Sequence, residues 1–315
     1  MSKEDDSRIR KLRQDLVWIL DSPSLISNQY FPSDILLFQN TDFLFQELRS
    51  EIFSNLDSIL SNSKAVLKFF EERKTKRLGR YYETLWEFLF QESENWDLLG
   101  RGIPVRSNDS ETLGEFDFLL YHIKSNQYIH LEVAIKFYLR LHREILASSY
   151  VGPSFNDRLD LKLKKLTKQS ILTRNPEAKK YLDPILGSSN QYFHPYILVQ
   201  GILFYPNNDY KFYEDSSSVP ACVNEVHLRS KYIFFRELKS MHSFGSKYIL
   251  DPRLDWLSDP LESDWKDAMN FSTLLNRLDE FFANRNESVF VSKRNLLHSV
   301  SRFFVLPDQK SQSQL

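Results

Sequence analysis

Apolar residues recur at helical spacing through the first quarter of the chain. Leu12, Leu16 and Ile19 would share one face of a helix. A second series at the same spacing contains Leu44, Leu48, Phe53, Leu56 and Leu60. Two proline-containing segments, 22–24 and 31–34, interrupt the pattern as turns or helix starts. The pattern therefore predicts a helical N-terminal extension over residues 1–75.

The periodicity changes in the middle of the chain. Residues 78–91 are strongly apolar at steps of three and four, which predicts a helix. Two segments of strand-like composition, 114–121 and 129–138, are separated by a polar turn and are typical of an antiparallel hairpin. An amphipathic helix over 157–173 and a bounded apolar strand over 195–206 follow.

These elements predict an α/β (α+β) fold with a mixed central sheet over residues 76–245. Helix is predicted again over 255–282. We therefore expect a helical C-terminal extension over residues 246–315 that ends in a disordered polar tail at 310–314.

Side chains alternate between the two faces of a strand, so the charged residues of the hairpin are expected on one face of each strand. In the first strand, Glu115 and Asp117 are predicted on one face, and Phe116 and Phe118 on the other. In the second strand, one predicted face carries Glu132, Ala134 and Lys136, and the other carries Val133, Ile135 and Phe137. If the polar faces lie in register, three carboxylates and one ammonium meet, which is costly in a buried sheet without compensation.

Asp117, Glu132 and Lys136 are the candidates for chemistry. Carboxylates on adjacent strands supply the hard oxygen ligands that Mg²⁺ prefers, and a lysine on the same face can position water and stabilise charge on a phosphate. The alternative is a cross-strand ion pair on a surface hairpin, worth only about 0.2–1 kcal/mol. The apolar residues on both faces favour a buried hairpin and hence a functional site.

Composition excludes several classes of protein. The 315 residues carry a net charge of −1, which does not indicate a globally basic nucleic-acid binder. The single cysteine, Cys222, can form neither an intrachain disulfide nor a cysteine-based zinc site. Neither a signal peptide nor an apolar run of membrane-spanning length is present, so we expect a cytoplasmic protein without a membrane partner.

The near-zero charge conceals two basic segments, 64–80 and 157–180, which bracket the hairpin. Such runs are usually solvated faces; here they are also candidates for phosphate contact. His130 is predicted on the same strand face as Glu132, although an ordinary packed or solvent-facing histidine is the simpler interpretation. Gly100–Gly102 lacks the lysine and the helix of a phosphate-binding loop.

The hairpin resembles the motif pair of the PD-(D/E)XK nucleases, which have the restriction-endonuclease-like fold. The resemblance rests on Gly-Glu-Phe-Asp at 114–117 and on Leu-Glu-Val-Ala-Ile-Lys at 131–136. The first motif is closest to that of archaeal Holliday-junction resolvases. Between Leu78 and Pro206, the arrangement also resembles a bacterial family called domain of unknown function 1853.

The resemblance implies a restriction-endonuclease-like core and a Mg²⁺- or Mn²⁺-dependent phosphodiesterase acting on nucleic acid, DNA rather than RNA. Glu83, on the preceding helix, matches the acidic residue that many members contribute, and would bind metal with Asp117 and Glu132. Gln169 matches the polar residue that often completes the site. The helix carrying Lys162, Lys165 and Lys168 would contact backbone phosphates.

The second motif departs from the superfamily pattern, in which the acid lies two residues before the lysine. Ala134 occupies that position, and Glu132 lies one step further back on the same face. Two alternatives to an active nuclease follow. One is an inactive nuclease-fold scaffold or protein-interaction module, and the other is an all-helical interaction protein with an incidental hairpin.

Overall fold

The computed structural model describes residues 2–108, 111–187, 191–208, 219–241 and 245–308. The α-helices of this part of the chain are α1 (Lys3–Asp21), α2 (Phe43–Ser61), α3 (Ser63–Glu72), α4 (Leu78–Glu92), α5 (Leu159–Ser170), α6 (Lys179–Leu186), α7 (Phe235–Lys239) and α8 (Phe271–Asn284). None of these helices combines the length and the apolar character needed to cross a bilayer.

The strands are β1 (Leu36–Leu37), β2 (Trp96–Arg106), β3 (Thr112–His122), β4 (Gln127–Arg140), β5 (Tyr150–Val151), β6 (Phe193–Pro206), β7 (Leu228–Phe234), β8 (Lys247–Leu250), β9 (Val289–Arg294) and β10 (Val300–Leu306). Within the described residues they form one sheet in the order β2-β3-β4-β6-β7-β10-β9-β8, with β1 beside β6 and β5 beside β4.

The predicted mixed α/β fold and its hairpin are confirmed. Strands β3 and β4 pair antiparallel, and β4 then runs parallel to β6 from Tyr128 to Leu139. Helices α4 and α5 and strand β6 lie close to their predicted positions. Strand β2, which pairs antiparallel with β3, was not predicted from the sequence.

The two faces of the sheet are covered by different helices. On one face, Val133, Ile135 and Phe137 of β4 pack in a large apolar cluster with residues of α1, α2 and α4. On the other face, Ala134 packs with Leu163 and other buried leucines of α5. The predicted alternation along β4 is therefore confirmed, and its even-numbered residues face α5.

The predicted helical N-terminal extension contains α1, α2 and α3, with the short strand β1 added. The C-terminal part differs from the helical extension that the sequence predicted. Its long helix is α8 alone, while β8, β9 and β10 join the central sheet through the β10–β7 pairing. The predicted tail at 310–314 lies outside the described residues.

Gly201 fixes the close approach of β6 to β4 beside Lys136. Its φ is +147°, and a Cβ built on it would lie 1.6 Å from the carbonyl oxygen of Lys136. Only glycine fits at this position, because any side chain would overlap the backbone that carries the candidate lysine.

Candidate active site

The regular pairing of β3 with β4 ends next to Asp117, the first candidate carboxylate. Regular pairing stops at Phe118 and Leu131. Beyond it, Oδ2 of Asp117 accepts the N–H of Val133 at 3.1 Å, and Oε1 of Glu132 accepts the N–H of Asp117 at 3.4 Å. Two side chains thus replace backbone carbonyls, which brings both carboxylates to the point where the strands separate.

The same irregularity overturns part of the predicted alternation in β3. Phe118 packs in the apolar cluster on the α4 face, whereas Phe116 packs with α6 and lies edge-on to the His130 ring at 4.9 Å between centroids. The two phenylalanines therefore lie on opposite faces, not on the shared face that strict alternation predicted. Alternation depends on regular pairing, which is lost at Asp117.

Glu132 is fully buried and is held by a histidine. Nε2 of His130 lies 2.9 Å from Oε1 of Glu132, and its Nδ1 lies 3.1 Å from the carbonyl oxygen of Ser170 at the end of α5. A carbonyl only accepts, so Nδ1 carries a proton and donates it. His130 is therefore a buried partner of the site, rather than a solvent-facing residue.

Asp117 is less well compensated than Glu132. Burial, followed by the charges of Glu132 and Glu83, raises the pKa of Asp117 well above its usual range. The N–H of Val133 and the Lys162 ammonium oppose this rise without cancelling it. Among the described residues, no lysine or arginine forms an ion pair with Asp117.

Lys136 is held by an acid that the sequence did not single out. Its Nζ donates to Oδ2 of Asp157 at 2.5 Å, and the same oxygen accepts the Tyr138 hydroxyl at 3.2 Å. Asp157 lies in the segment before α5, while Lys136 and Tyr138 share a face of β4. The lysine is 25% exposed, so its ammonium is oriented and still accessible to a substrate.

Of the candidate residues on α5, Lys162 is the one that approaches the carboxylates. Burial lowers the pKa of Lys162, with a further contribution from Lys136, while Asp117 and Glu132 raise it. Lys165 and Lys168 are exposed. At about 100° per residue, Lys168 lies opposite the buried leucines of α5.

Gln169 is half-buried, and its side chain forms no hydrogen bond with the described residues. It is the neighbouring Ser170, through its carbonyl, that α5 contributes to the His130–Glu132 pair.

Glu83 is nearby but engaged elsewhere. Its carboxylate bonds to Arg80 at 2.8 Å and lies 3.8 Å from Arg101. Burial raises the pKa of Glu83, and these two arginines act in the opposite direction. Arg80 also bonds to Glu115, so the acids on the α4 side are paired with arginines instead of opening toward Asp117.

Asp117 and Glu132 are the residues that would hold a divalent cation. Within the described ranges, no three His, Cys, Asp or Glu residues are arranged as a metal-holding group. Asp117 and Glu132 nevertheless suit one in their chemistry. Each uses one oxygen in the contacts above, while Oδ1 of Asp117 and Oε2 of Glu132 accept no hydrogen bond from the described residues. Carboxylate oxygens that accept no hydrogen bond are hard ligands of the kind that Mg²⁺ binds.

Asp157, Tyr138 and His130 belong to the site but were not among the site residues predicted from the sequence. Tyr138 and His130 lie on the even-numbered face of β4 with Glu132 and Lys136, so strand alternation was the signal that could have found them. No local pattern linked Asp157 to Lys136, because the two are joined only by the return of the chain into α5.

The fold and the site define a mixed α/β protein with a pair of carboxylates, Asp117 and Glu132, where two central strands separate. The chain matches the family described as "Domain of unknown function (DUF1853)" over residues 14–306, and it belongs to that family. No curated protein matches the chain. No solved structure matches it either.

Proposed function

We propose that this protein is a Mg²⁺- or Mn²⁺-dependent phosphodiesterase acting on nucleic acid, of the PD-(D/E)XK type. The observation that carries the proposal is the pair Asp117 and Glu132. Glu132 is buried and Asp117 is half-buried at the strand separation, each has an oxygen free of hydrogen bonds, and Asp117 forms no ion pair with a lysine or arginine among the described residues. Carboxylates in this state are costly, and a divalent cation removes that cost.

In this proposal Asp117 and Glu132 hold the metal, and His130 keeps the Glu132 carboxylate oriented through Oε1. Glu83 would have to leave Arg80 to join them as a third ligand. When bound, Mg²⁺ supplies Lewis acidity toward a phosphoryl oxygen.

Lys136 provides the cationic component. Asp157 and Tyr138 hold its ammonium on the α5 face, where it would orient the attacking water and stabilise negative charge on the phosphate. Lys162 lies close enough to the carboxylates and to Lys136 to contact the same phosphate. Gln169 would orient a ligand, and the exposed Lys165 would contact a flanking phosphate of the nucleic acid, most simply DNA, with a weaker contribution from Lys168 on the outer side of α5.

The alternative is an inactive nuclease-fold scaffold that binds nucleic acid or protein. Ala134 favours it, because this residue occupies the usual position of the acid, two before Lys136, and packs into the apolar cluster under α5. On this alternative, Asp117 and Glu132 would be a remnant of the site.

The test is a cleavage assay on double-stranded, branched and single-stranded DNA, and on RNA, with Mg²⁺ or Mn²⁺. We expect cleavage that EDTA abolishes and that Asp117→Asn reduces by at least about 100-fold, the usual scale for loss of a key electrostatic group. Asp97→Asn, an exposed aspartate of β2, is the matched control and should cleave normally.

Failure of the wild type to cut any substrate with either metal would reject the enzymatic proposal. Equal cleavage by the wild type and Asp117→Asn would assign the activity to a contaminant or to another site. Metal-independent binding of nucleic acid without cleavage would favour the scaffold.

A further inference from the structure

A second cavity lies on the same face of the sheet as Glu132, beyond β6. It has a volume of about 610 Å³ and lies over β7, β10, β9 and β8. This volume is within the range of pockets that hold small organic ligands. The cavity contains none of the residues placed in the candidate active site.

The described charged residues that line this cavity are all cationic. Its cationic lining residues are Arg229, Lys231, Lys293 and Arg302, and no described Asp or Glu residue lines it. The whole chain has a net charge of −1, so this grouping does not follow from composition. Arg302 is already bonded to backbone carbonyls and to Ser292. Of the other lining cations, Arg229 and Lys293 lie in one row across the sheet.

Two nitrogen atoms of the Arg229 side chain lack hydrogen-bond acceptors among the described residues. Its Nε and Nη2 are buried and make no hydrogen bond. This is costly, because the N–H groups on these two atoms have lost water without gaining an acceptor. Burial, together with the charge of Arg229, lowers the pKa of neighbouring His227 to about 4, so that imidazole adds no charge near neutral pH.

Lys293 faces Arg229 across the cavity floor. Ser301 of β10 pairs with Lys293 of β9. Arg229 and Ser301 each lie two residues before the paired Lys231 and Phe303, so they point to the same face. Arg229, Ser301 and Lys293 therefore form a row across three strands, with the outer two roughly 10 Å apart at the backbone.

Ser301 is exposed, and the Lys293 ammonium lies 5.9 Å from the Tyr248 ring without an acidic partner among the described residues. The row thus presents a hydroxyl between two cations.

Part of the remaining cavity lining is apolar. Leu238, Met241, Phe271 and Phe303 contribute to its lining beside the charged row. A ligand that satisfies both parts carries a compact dianion at one end and a flat or apolar group at the other. A single carboxylate would leave one cation unbalanced, whereas a phosphate monoester balances both and suits the fork of a guanidinium.

We propose that this cavity binds a nucleoside monophosphate group, with the phosphate between Arg229 and Lys293 and the base against the apolar wall. The group can belong to a free nucleotide or to the phosphorylated end of a strand. The inference does not depend on the proposed nuclease activity, since it uses other residues and needs no metal.

The test is calorimetric titration in EDTA with AMP, adenosine, inorganic phosphate, and a short single-stranded oligonucleotide with or without a 5′-phosphate. We expect AMP or the phosphorylated oligonucleotide to bind, and adenosine and the unphosphorylated strand to bind at least about tenfold more weakly. AMP binding identifies a free nucleotide as a sufficient ligand, and binding of the phosphorylated strand alone identifies a strand end.

Arg229→Met and Lys293→Met should each weaken this binding at least about tenfold, while Lys247→Met, an exposed lysine of β8 outside the cavity, should not. Arg229→Met should also leave the melting temperature of the ligand-free protein unchanged or higher, because it removes two buried nitrogen atoms that lack acceptors. A purely structural arginine would give the opposite shift.

The proposal is overturned if the folded wild type binds neither AMP nor the phosphorylated strand. It is equally overturned if both methionine variants bind as well as the wild type. The failure of the nuclease proposal would appear separately, in the metal-dependent cleavage assay.

Discussion

Asp251 and Asp117 are acidic residues beside the central sheet, and they differ in whether an arginine of the chain neutralises them. Asp251, which follows β8, accepts the Ser292 hydroxyl at 2.6 Å and lies 3.6 Å from the Arg302 guanidinium. Arg302 in turn donates to the carbonyls of Asp255 and Ser258. This cluster is complete without a ligand. It connects strands β9 and β10 to the loop after β8.

Asp117 has no such partner. Its nearest neighbours include the acids Glu132 and Glu83, and its hydrogen bonds are to the backbone. A cluster closed by its own arginine is typical of a structural role, whereas a half-buried carboxylate without an ion-pair partner, as at Asp117, is typical of a binding site. The two regions thus differ in one partner: Asp251 forms an ion pair with an arginine, and Asp117 forms none among the described residues.

The largest effect on stability is expected from removing the arginine of the closed cluster. Arg302→Met leaves Asp251 and several carbonyls without their donor, and should lower the free energy of unfolding by about 3–5 kcal/mol. Asp117→Asn should change it by less than about 1 kcal/mol, because the amide oxygen can still accept the Val133 N–H. Urea unfolding without metal measures both, and a larger loss for Asp117→Asn would reverse the comparison.

Mg²⁺ should act on one region only. At 100 times its dissociation constant, a ligand specific for the folded state adds about 2.7 kcal/mol of stability. We expect a rise in the wild-type melting temperature with Mg²⁺ or Mn²⁺ that Asp117→Asn abolishes and Asp251→Asn retains. An equal rise in all three proteins would show that the metal acts elsewhere.

The pH dependence of stability should report on the closed cluster. Burial outweighs the opposing charge of Arg302 and raises the pKa of Asp251 to about 6, above the usual unfolded value of about 3.9. The folded state therefore holds this proton more tightly. Its stabilising contribution is full below about pH 4 and is lost as the pH rises through about 6, at a cost on the order of 1–3 kcal/mol. Unfolding measured across this range should be flatter in Asp251→Asn, and an unchanged slope would contradict the shift.

The smallest effect is expected on the α5 surface. If Lys162 contacts a phosphate, Lys162→Ala should reduce the slope of log affinity against log salt by about 0.9 for duplex DNA. Lys168→Ala should change it less, since Lys168 lies on the outer side of the helix, opposite the buried leucines. Fluorescence anisotropy at several salt concentrations measures the slopes, with Lys247→Ala on distant β8 as the control. Equal slopes for Lys162→Ala and the control would remove Lys162 from the interface.

Local pattern was sufficient for much of the fold. The helix at Leu78–Glu92, the β3–β4 hairpin and the buried strand β6 were predicted because their periodicity and turn chemistry are encoded in neighbouring residues. The C-terminal strands were not predicted, because β10 is stabilised by pairing with β7, about seventy residues earlier in the chain. Short apolar segments such as Phe303–Leu306 fit a helix or a strand equally well until such a partner is known.

The sequence by itself determined the family, the order of the core elements, and the presence of Asp117, Glu132 and Lys136 on one hairpin. Only the tertiary structure decided how these residues are used. The end of the β3–β4 ladder turned Asp117 toward the backbone of Val133, and the return of the chain into α5 brought Asp157 to Lys136. Both depend on contacts between residues far apart along the chain, and strand alternation carries no information about such contacts once regular pairing stops.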